Sequence, residues 1–364
     1  KSTSRSHQET GALSKGGISI AAAVVDSKID SKTSSYAQDG AVVNAGAISL
    51  NANAKNVVEA PADLKSFGLL AGTLISMTTQ DTSTVEAYVG HAIESVTSPA
   101  KLTASTGNVT VSATTNSTAT SETTMTAAGL VGAGGANSHS TSSPKTYAYL
   151  GDSAEISAPH GDISLLANST ADAQATGRGF AAGFAAVNVI NPKATVNPTV
   201  RAYTAGGGSL IGKNVAINSE STATGNAVTG GVTVGAVSPG SMQPEVHITN
   251  TNEASVGEKN TVRADGTVVK NSDGTAHVVD GTVQLAGGAV EISATSHNSG
   301  TPSARSIDGG IVDLSSATVT FNVVDHTKTE VKSGATITAD KSVTVTSSTD
   351  TTAHPKATIY SFGA

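Results

Sequence analysis

The sequence predicts an all-β protein, a parallel β-solenoid (β-helix) built from repeats of about 52–75 residues. Three observations lead to this prediction. One strand pattern recurs six times, aromatic residues make up only 3% of the 364, and 38 residues are glycine. Small and β-branched residues without large aromatics indicate a thin core, which suits stacked repeats better than a globular domain. We therefore expect one continuous solenoid over residues 1–364.

The repeated strand alternates apolar and polar residues after a turn. Period-two alternation places the apolar residues on one face, so this face is predicted to form the core of every repeat. The six copies start 61, 54, 52, 75 and 53 residues apart. Their apolar residues are Ile48 and Leu50, Val109 and Val111, Ile163 and Leu165, Val215 and Ile217, Val290 and Ile292, and Val343 and Val345.

A second marker, typically Ala-Tyr-x-Gly, precedes the repeated strand. Its tyrosines are Tyr36, Tyr88, Tyr149 and Tyr203, and Ser255 and Val331 take their place in the last two copies. Stacked equivalent positions would form an aromatic ladder that fixes the register between repeats. The alternative is an exposed stripe that binds a sugar or a protein. The replacements at Ser255 and Val331 favour the structural ladder.

Two repeats are longer than the others because of the segments 95–105 and 263–287. Loops accept extra residues at small thermodynamic cost, so we expect 263–287 to be a loop insertion. A 52-residue repeat is expected to supply two turns of about 25 residues. At about 4.8 Å per turn the chain would then form a rod of roughly 70 Å. Both ends lie within a repeat, and we expect the segment to be excised from a longer array.

Composition excludes several classes of function. The net charge is −7 with no basic stripe, which argues against nucleic acid as a partner. The absence of cysteine excludes disulfides and thiolate metal sites. No apolar run approaches the roughly 20 residues that span a bilayer, so no transmembrane segment is expected.

Motifs for catalysis or metal binding are not recognisable. No two of the nine histidines have zinc-ligand spacing. Asp152 and Asp162 flank one strand, and Asp265, Asp273 and Asp280 lie in the long insertion. Calcium needs six or more oxygen ligands on a loop, and isolated aspartates beside glycines are typical of turns. We therefore predict no catalytic residue, no metal site and no cofactor.

Three features of the sequence carry a family resemblance. They are the markers Ala-Tyr-Val-Gly (87–90) and Ala-Tyr-Leu-Gly (148–151), the strand Gly-Asn-Val-Thr-Val-Ser-Ala (107–113), and the Gly/Ala/Val patches such as 127–135. They resemble the repeat region of large bacterial filamentous adhesins. These are haemagglutinin-like and leukotoxin-like surface proteins exported by type V or two-partner secretion. The resemblance implies a right-handed β-helical stalk that is secreted and lies on the bacterial cell surface.

The expected function is a non-catalytic stalk or filament segment. Its expected partners are neighbouring repeats of the same array, or identical chains that join end to end, since bare coil ends expose unpaired strand edges. Three alternatives remain open. They are an adhesin surface that binds glycans or a host receptor, a carbohydrate-active β-helix enzyme, and an ice-binding threonine array, which Ala216 and Glu291 interrupt.

Overall fold

The computed structural model describes residues 1–90, 98–258 and 283–363. Strands make up 84% of it, and none of these residues lies in a helix. All 23 strands belong to one network of pairings, and every pairing between them is parallel, for example β12 with β8 and with β16. This confirms the predicted all-β class with a large parallel sheet and is consistent with a β-solenoid.

The strands follow one another closely along the chain. The first eleven are β1 (Ser2–His7), β2 (Thr10–Ile29), β3 (Lys32–Ala37), β4 (Val42–Ala45), β5 (Ile48–Asp81), β6 (Thr84–Val89), β7 (Lys101–Ala104), β8 (Val109–Ala128), β9 (Val131–Ser142), β10 (Lys145–Leu150) and β11 (Glu155–Ala158). The remaining twelve are β12 (Ile163–Ala182), β13 (Ala185–Val196), β14 (Thr199–Ala205), β15 (Ser209–Gly212), β16 (Asn214–Val234), β17 (Val237–Met242), β18 (Glu245–Glu258), β19 (Val283–Gly310), β20 (Val312–Ala317), β21 (Thr320–Val331), β22 (Ala335–Ala353) and β23 (Lys356–Gly363).

Each strand pairs with the equivalent strand one repeat further along the chain. β8 pairs with β12 from Val109↔Ile163 to Ala128↔Ala182 without a shift, and β12 continues in the same way onto β16. We call each passage of the chain around this circuit a layer. Layers 1 to 7 begin at residues 1, 48, 109, 163, 214, 289 and 342.

Each repeat forms one layer, so the expectation of two turns per repeat was wrong. The reason is the Ser/Thr/Asn-rich stretch after the repeated strand, which continues that strand to 20 residues in β8 and β12. Such a strand is about 66 Å long, whereas seven layers rise only about 29 Å. The expected 70 Å rod is therefore a stack that is wider than it is tall.

Within a layer the chain runs out along one long strand and returns along the next strands. β8 runs out in layer 3, and β9 returns across it after a tight turn. Inward side chains of the two strands meet, as Ser117 Oγ and Ser142 Oγ do at 2.7 Å and Ser121 Oγ and Ser138 Oγ at 2.6 Å. We call β8 and its equivalents the front strands and β9 and its equivalents the back strands.

The predicted core residues gather in one hydrophobic cluster, where the front strands begin. Nine of the twelve are buried in it, and Leu50 packs against it. Val343 and Val345 differ from the prediction, because 49% and 47% of their surface is exposed. Both lie in layer 7, which has a neighbouring layer in this chain on one side only.

The interior between the front and back strands is partly polar, which the local sequence pattern does not predict. In layer 5, Ser221 donates to Asn250 Oδ1 at 2.7 Å, and Asn250 donates to Asn298 Oδ1 of layer 6 at 2.9 Å. In layer 4, Ser169 takes the place of Ser221, and Ala171 takes the place of Asn298. Each such bond contributes only about 0.5–1.5 kcal/mol, but leaving the groups unpaired would cost more.

The two long segments were only partly insertions. Residues 101–104 form β7 and pair with β4 and β11, and residues 283–287 begin β19, which pairs with β15 and β22. The rest of the 263–287 segment lies outside the described residues. A loop assignment was wrong for 283–287 because the strand pattern resumes there to close layer 5.

The last marker is displaced by one residue from its predicted position. Glu330, not Val331, pairs with Ser255 and so continues the tyrosine column. The extra residue is taken up later, where the register between β19 and β22 shifts opposite Gly287 and Ala289.

Candidate binding surfaces

The four marker tyrosines form one continuous stack. Tyr36, Tyr88, Tyr149 and Tyr203 occupy the same register position on β3, β6, β10 and β14. Successive ring centroids lie 5.0, 4.9 and 4.9 Å apart, with interplanar angles of 7°, 9° and 6°. Offset stacking at this distance stabilises neighbouring layers beyond the burial of area.

This ladder is largely closed to a ligand. Tyr149 and Tyr203 are each 2% exposed, and only Tyr36 at the end is half exposed. Burial, then the nearby Glu86 carboxylate, raises the pKa of the Tyr88 phenol above its ordinary value, so the ring remains neutral. The arrangement is that of a packing element, and it offers little ring face to a sugar.

Charged residues lie beside the ladder, two residues before the tyrosine position at Glu86, Arg201 and Glu253 and four before it at Lys32. Lys32 Nζ lies 2.9 Å from Glu86 Oε2, and Arg201 Nε lies 3.1 Å from Glu253 Oε2. The Arg201 guanidinium also stands 4.8 Å above the ring of Tyr203, a cation–π contact. These charges pair with one another and leave no strong single-sign field.

A second surface lies on the outer side of the front strands. A groove of 860 Å³ runs across layers 3 to 7, and we call it the arginine groove. Its floor follows the register column of Arg178, Gly230 and Arg305. A Cβ on Gly230 would meet nothing within 4 Å, so the missing side chain opens space between the two arginines.

Aromatic rings and a lysine complete the arginine groove. Phe180 and Tyr360 lie on the next outward column and are 39% and 47% exposed. The Arg305 guanidinium stands 5.9 Å from the Tyr360 ring, while Arg178 Nη1 is 3.8 Å from Glu122 Oε1. Lys356 also lines the groove. A guanidinium beside an aromatic wall can bind a carboxylate while the ring packs on an apolar face.

The repeated sequence motifs do not predict this groove. Arg178 and Arg305 lie in different repeats, and only the register shows that they share one column with Gly230. A layer-by-layer alignment of the long strands would have revealed the coincidence, but the sequence-based alignment covered only five residues of each strand.

Metal and membrane sites are not found in the described part of the chain. Within it, no group of three or more His, Asp or Glu side chains could hold a metal ion. Residues 1–90, 98–258 and 283–363 also contain no helix with the length and apolar character to cross a bilayer.

Comparison with protein-family models, with curated proteins and with solved structures gives no match to this chain.

Proposed function

We propose that this chain is a stalk or filament segment of a secreted bacterial surface adhesin, built as a right-handed parallel β-solenoid without catalytic activity. The supporting observation is the uninterrupted register. Equivalent residues stay paired through layers 3 to 5 over full 20-residue front strands, and layers 2 and 6 continue the same columns.

Such a stack suits a mechanical role. Each layer contacts only its neighbours, so stability adds up along the axis and length can be extended without changing the fold. The two long segments follow equivalent strands in the chain, the first after β6 and the second after β18. The register resumes after both, which is how a stalk accommodates variation while it keeps its stacking.

Electron microscopy of the purified chain, together with X-ray scattering, tests the stalk. We expect single particles about 66 Å across and about 29 Å tall. Fibres that grow along the short dimension would support the filament form of the proposal. Globular particles with no long dimension would contradict it. Protease shaving of the source bacterium, followed by detection with an antibody to the chain, tests the surface location.

A second candidate function is an adhesin surface that binds acidic glycans, and the arginine groove favours it. Two guanidiniums on either side of Gly230, with Phe180 and Tyr360 beside them, suit a sugar that carries a carboxylate. Binding to an array of carboxylated oligosaccharides tests this function. Arg305→Gln should reduce binding at least tenfold, while Arg5→Gln, outside the groove and paired with Glu59, should leave it unchanged. Equal binding by the two variants would refute the site.

A further inference from the structure

The turn between front and back strands forms an exposed apolar edge along the stack. In layers 2 to 6 it consists of residues 67–70, 128–131, 182–185, 234–237 and 309–312. We call this surface the apolar edge. The residue at the tip of each turn projects outwards, and Leu69, Leu130, Phe184 and Ile311 are 66%, 59%, 66% and 72% exposed.

A glycine column holds these turns close together. Gly68, Gly129, Gly183 and Gly235 occupy the same place in successive layers. A Cβ on Gly235 would lie 2.6 Å from the carbonyl oxygen of Gly183, too close for any side chain. The turns therefore stack at the strand spacing, and the residue after each glycine is directed into solvent.

The apolar edge carries no charged residue in any of its five turns. Ten of its large apolar side chains are at least 37% exposed. Each of these side chains exposes on the order of 80 Å², so together they offer on the order of 800 Å² of apolar surface. Exposed apolar patches of this size mark interaction sites, and about 800 Å² per partner is the size of a standard stable interface.

We propose that the apolar edge pairs with the apolar edge of a second copy of this chain, so that two stacks lie side by side. A second copy of the chain presents the same kind of turns at the same spacing, about 4.8 Å, so the two edges match along their length. A surface that binds itself in this way forms a two-fold symmetric pair. This lateral pairing goes beyond the stalk function and does not depend on adhesion.

One position fixes how the two edges fit. Where layers 2, 3, 4 and 6 have a large side chain at the tip, layer 5 has Ala236. A groove of 580 Å³ opens there, with Gly183, Gly235 and Gly310 in its floor and Ile311 and Phe362 at its sides. A two-fold axis between layers 4 and 5 places Phe184 of each copy over Ala236 of the other. The same axis brings Leu130 against Ile311.

A lipid surface is the main competing occupant. Proteins that bind membrane surfaces combine apolar side chains with tryptophan, tyrosine, lysine or arginine at the interface. The five turns of the apolar edge contain no tryptophan, tyrosine, lysine or arginine. We therefore favour protein over lipid, and the experiment includes vesicles.

Sedimentation velocity over a wide concentration range tests the pairing. We expect a species of twice the 35.8 kDa chain mass. Phe184→Lys and Ala236→Lys should each raise the dissociation constant at least tenfold, because each would bury an unpaired charge. The matched control is Val42→Lys, since Val42 on β4 is 65% exposed and lies away from the edge. It should leave the dimer intact, and circular dichroism should show the same β-structure in all three variants.

A thiol cross-link tests the geometry independently of affinity. The chain contains no cysteine, so Ala236→Cys introduces a single thiol near the proposed axis. Mild oxidation should link this variant into covalent dimers, whereas Val42→Cys should pair without forming a covalent cross-link. A wild-type chain that is monomeric at all concentrations would overturn the proposal, as would equal cross-linking of the two variants. Binding of a monomer to phosphatidylcholine vesicles would assign the edge to lipid instead.

Discussion

The ring of Tyr149 lies parallel to the ring of Tyr203, with centroids 4.9 Å apart and planes inclined by 6°. This distance matches the spacing of hydrogen-bonded strands, because the two residues are register partners on β10 and β14. A slip of one residue would bring Tyr149 opposite Ala202 or Thr204 and break the stack. The ladder therefore specifies register as well as stability.

Tyr149→Ala should lower the free energy of unfolding by about 3 kcal/mol or more, because it removes a buried ring that stacks on both sides. Urea denaturation measures the change. Tyr36→Ala is the matched control, since Tyr36 is half exposed and stacks on Tyr88 alone. Its effect should be clearly smaller, and equal losses for the two variants would show that the ladder does not act as a stack.

Gly129→Ala should destabilise the protein by at least about 2 kcal/mol. The added Cβ would overlap the carbonyl oxygen of Gly68, and backbone in a stacked turn has no room to move. Gly230→Ala is the control, because its Cβ would meet nothing within 4 Å. In a strand this change should be neutral or stabilise by about 0.5 kcal/mol. Thermal melting of both variants gives the comparison, and a loss at Gly230 matching that at Gly129 would contradict the packing argument.

Ser153→Gly should stabilise the protein by about 0.5–1 kcal/mol. Ser153 has a φ of 56°, and the equivalent residues of three other layers, Gly40, Gly207 and Gly334, are glycines with φ of 78°, 69° and 91°. A side chain is strained in this left-handed region, and glycine is not. The control is Ser157→Gly on the extended strand β11, which should destabilise. Chemical denaturation of both distinguishes backbone strain from a general effect of glycine.

Asp172→Asn should stabilise the protein at neutral pH. Burial raises the pKa of the Asp172 carboxyl above its ordinary 3.8, although Gln174 donates a hydrogen bond to it at 2.7 Å. A raised pKa in the folded state favours the protonated form. The stability that the protonated Asp172 carboxyl contributes is complete below pH 3.8 and is lost as the pH rises through the folded-state pKa.

The melting temperature of the Asp172→Asn variant, measured across pH 3 to 7, checks this sign. Its advantage over the wild-type chain should grow from acid to neutral pH. Glu155→Gln, which removes a carboxylate paired with Lys101 at 3.1 Å, should bring no such gain. An advantage of Asp172→Asn that is constant with pH would show that the effect is not one of protonation.

Much of the fold could be predicted from local pattern. Val109 and Val111 alternate with polar residues, so their burial on one face needed no tertiary information. The tyrosine column could be aligned because each tyrosine is followed by a turn with glycine nearby. The stretches that follow the repeated strand gave no such signal. Ser117 points inwards and Thr118 outwards, and their similar polarity conceals the alternation.

The candidate surfaces were harder to predict than the core. Phe184 and Leu130 lie beside glycines at the turns, and both are exposed. The glycines serve the close stacking of turns, and the large residues beside them have no inward space to occupy. The arginine groove depends on Arg178 and Arg305 coming into one column, which follows from register across three layers.

An all-β, repetitive protein with a thin core is predictable from the chain alone, because period-two alternation and small side chains are local properties. The three-dimensional fold was needed to show that one repeat makes one layer, that serines and asparagines pair inside it, and that apolar turns line one edge. These features depend on which distant residues share a register, and side-chain contacts between layers, such as the tyrosine ladder, select that register.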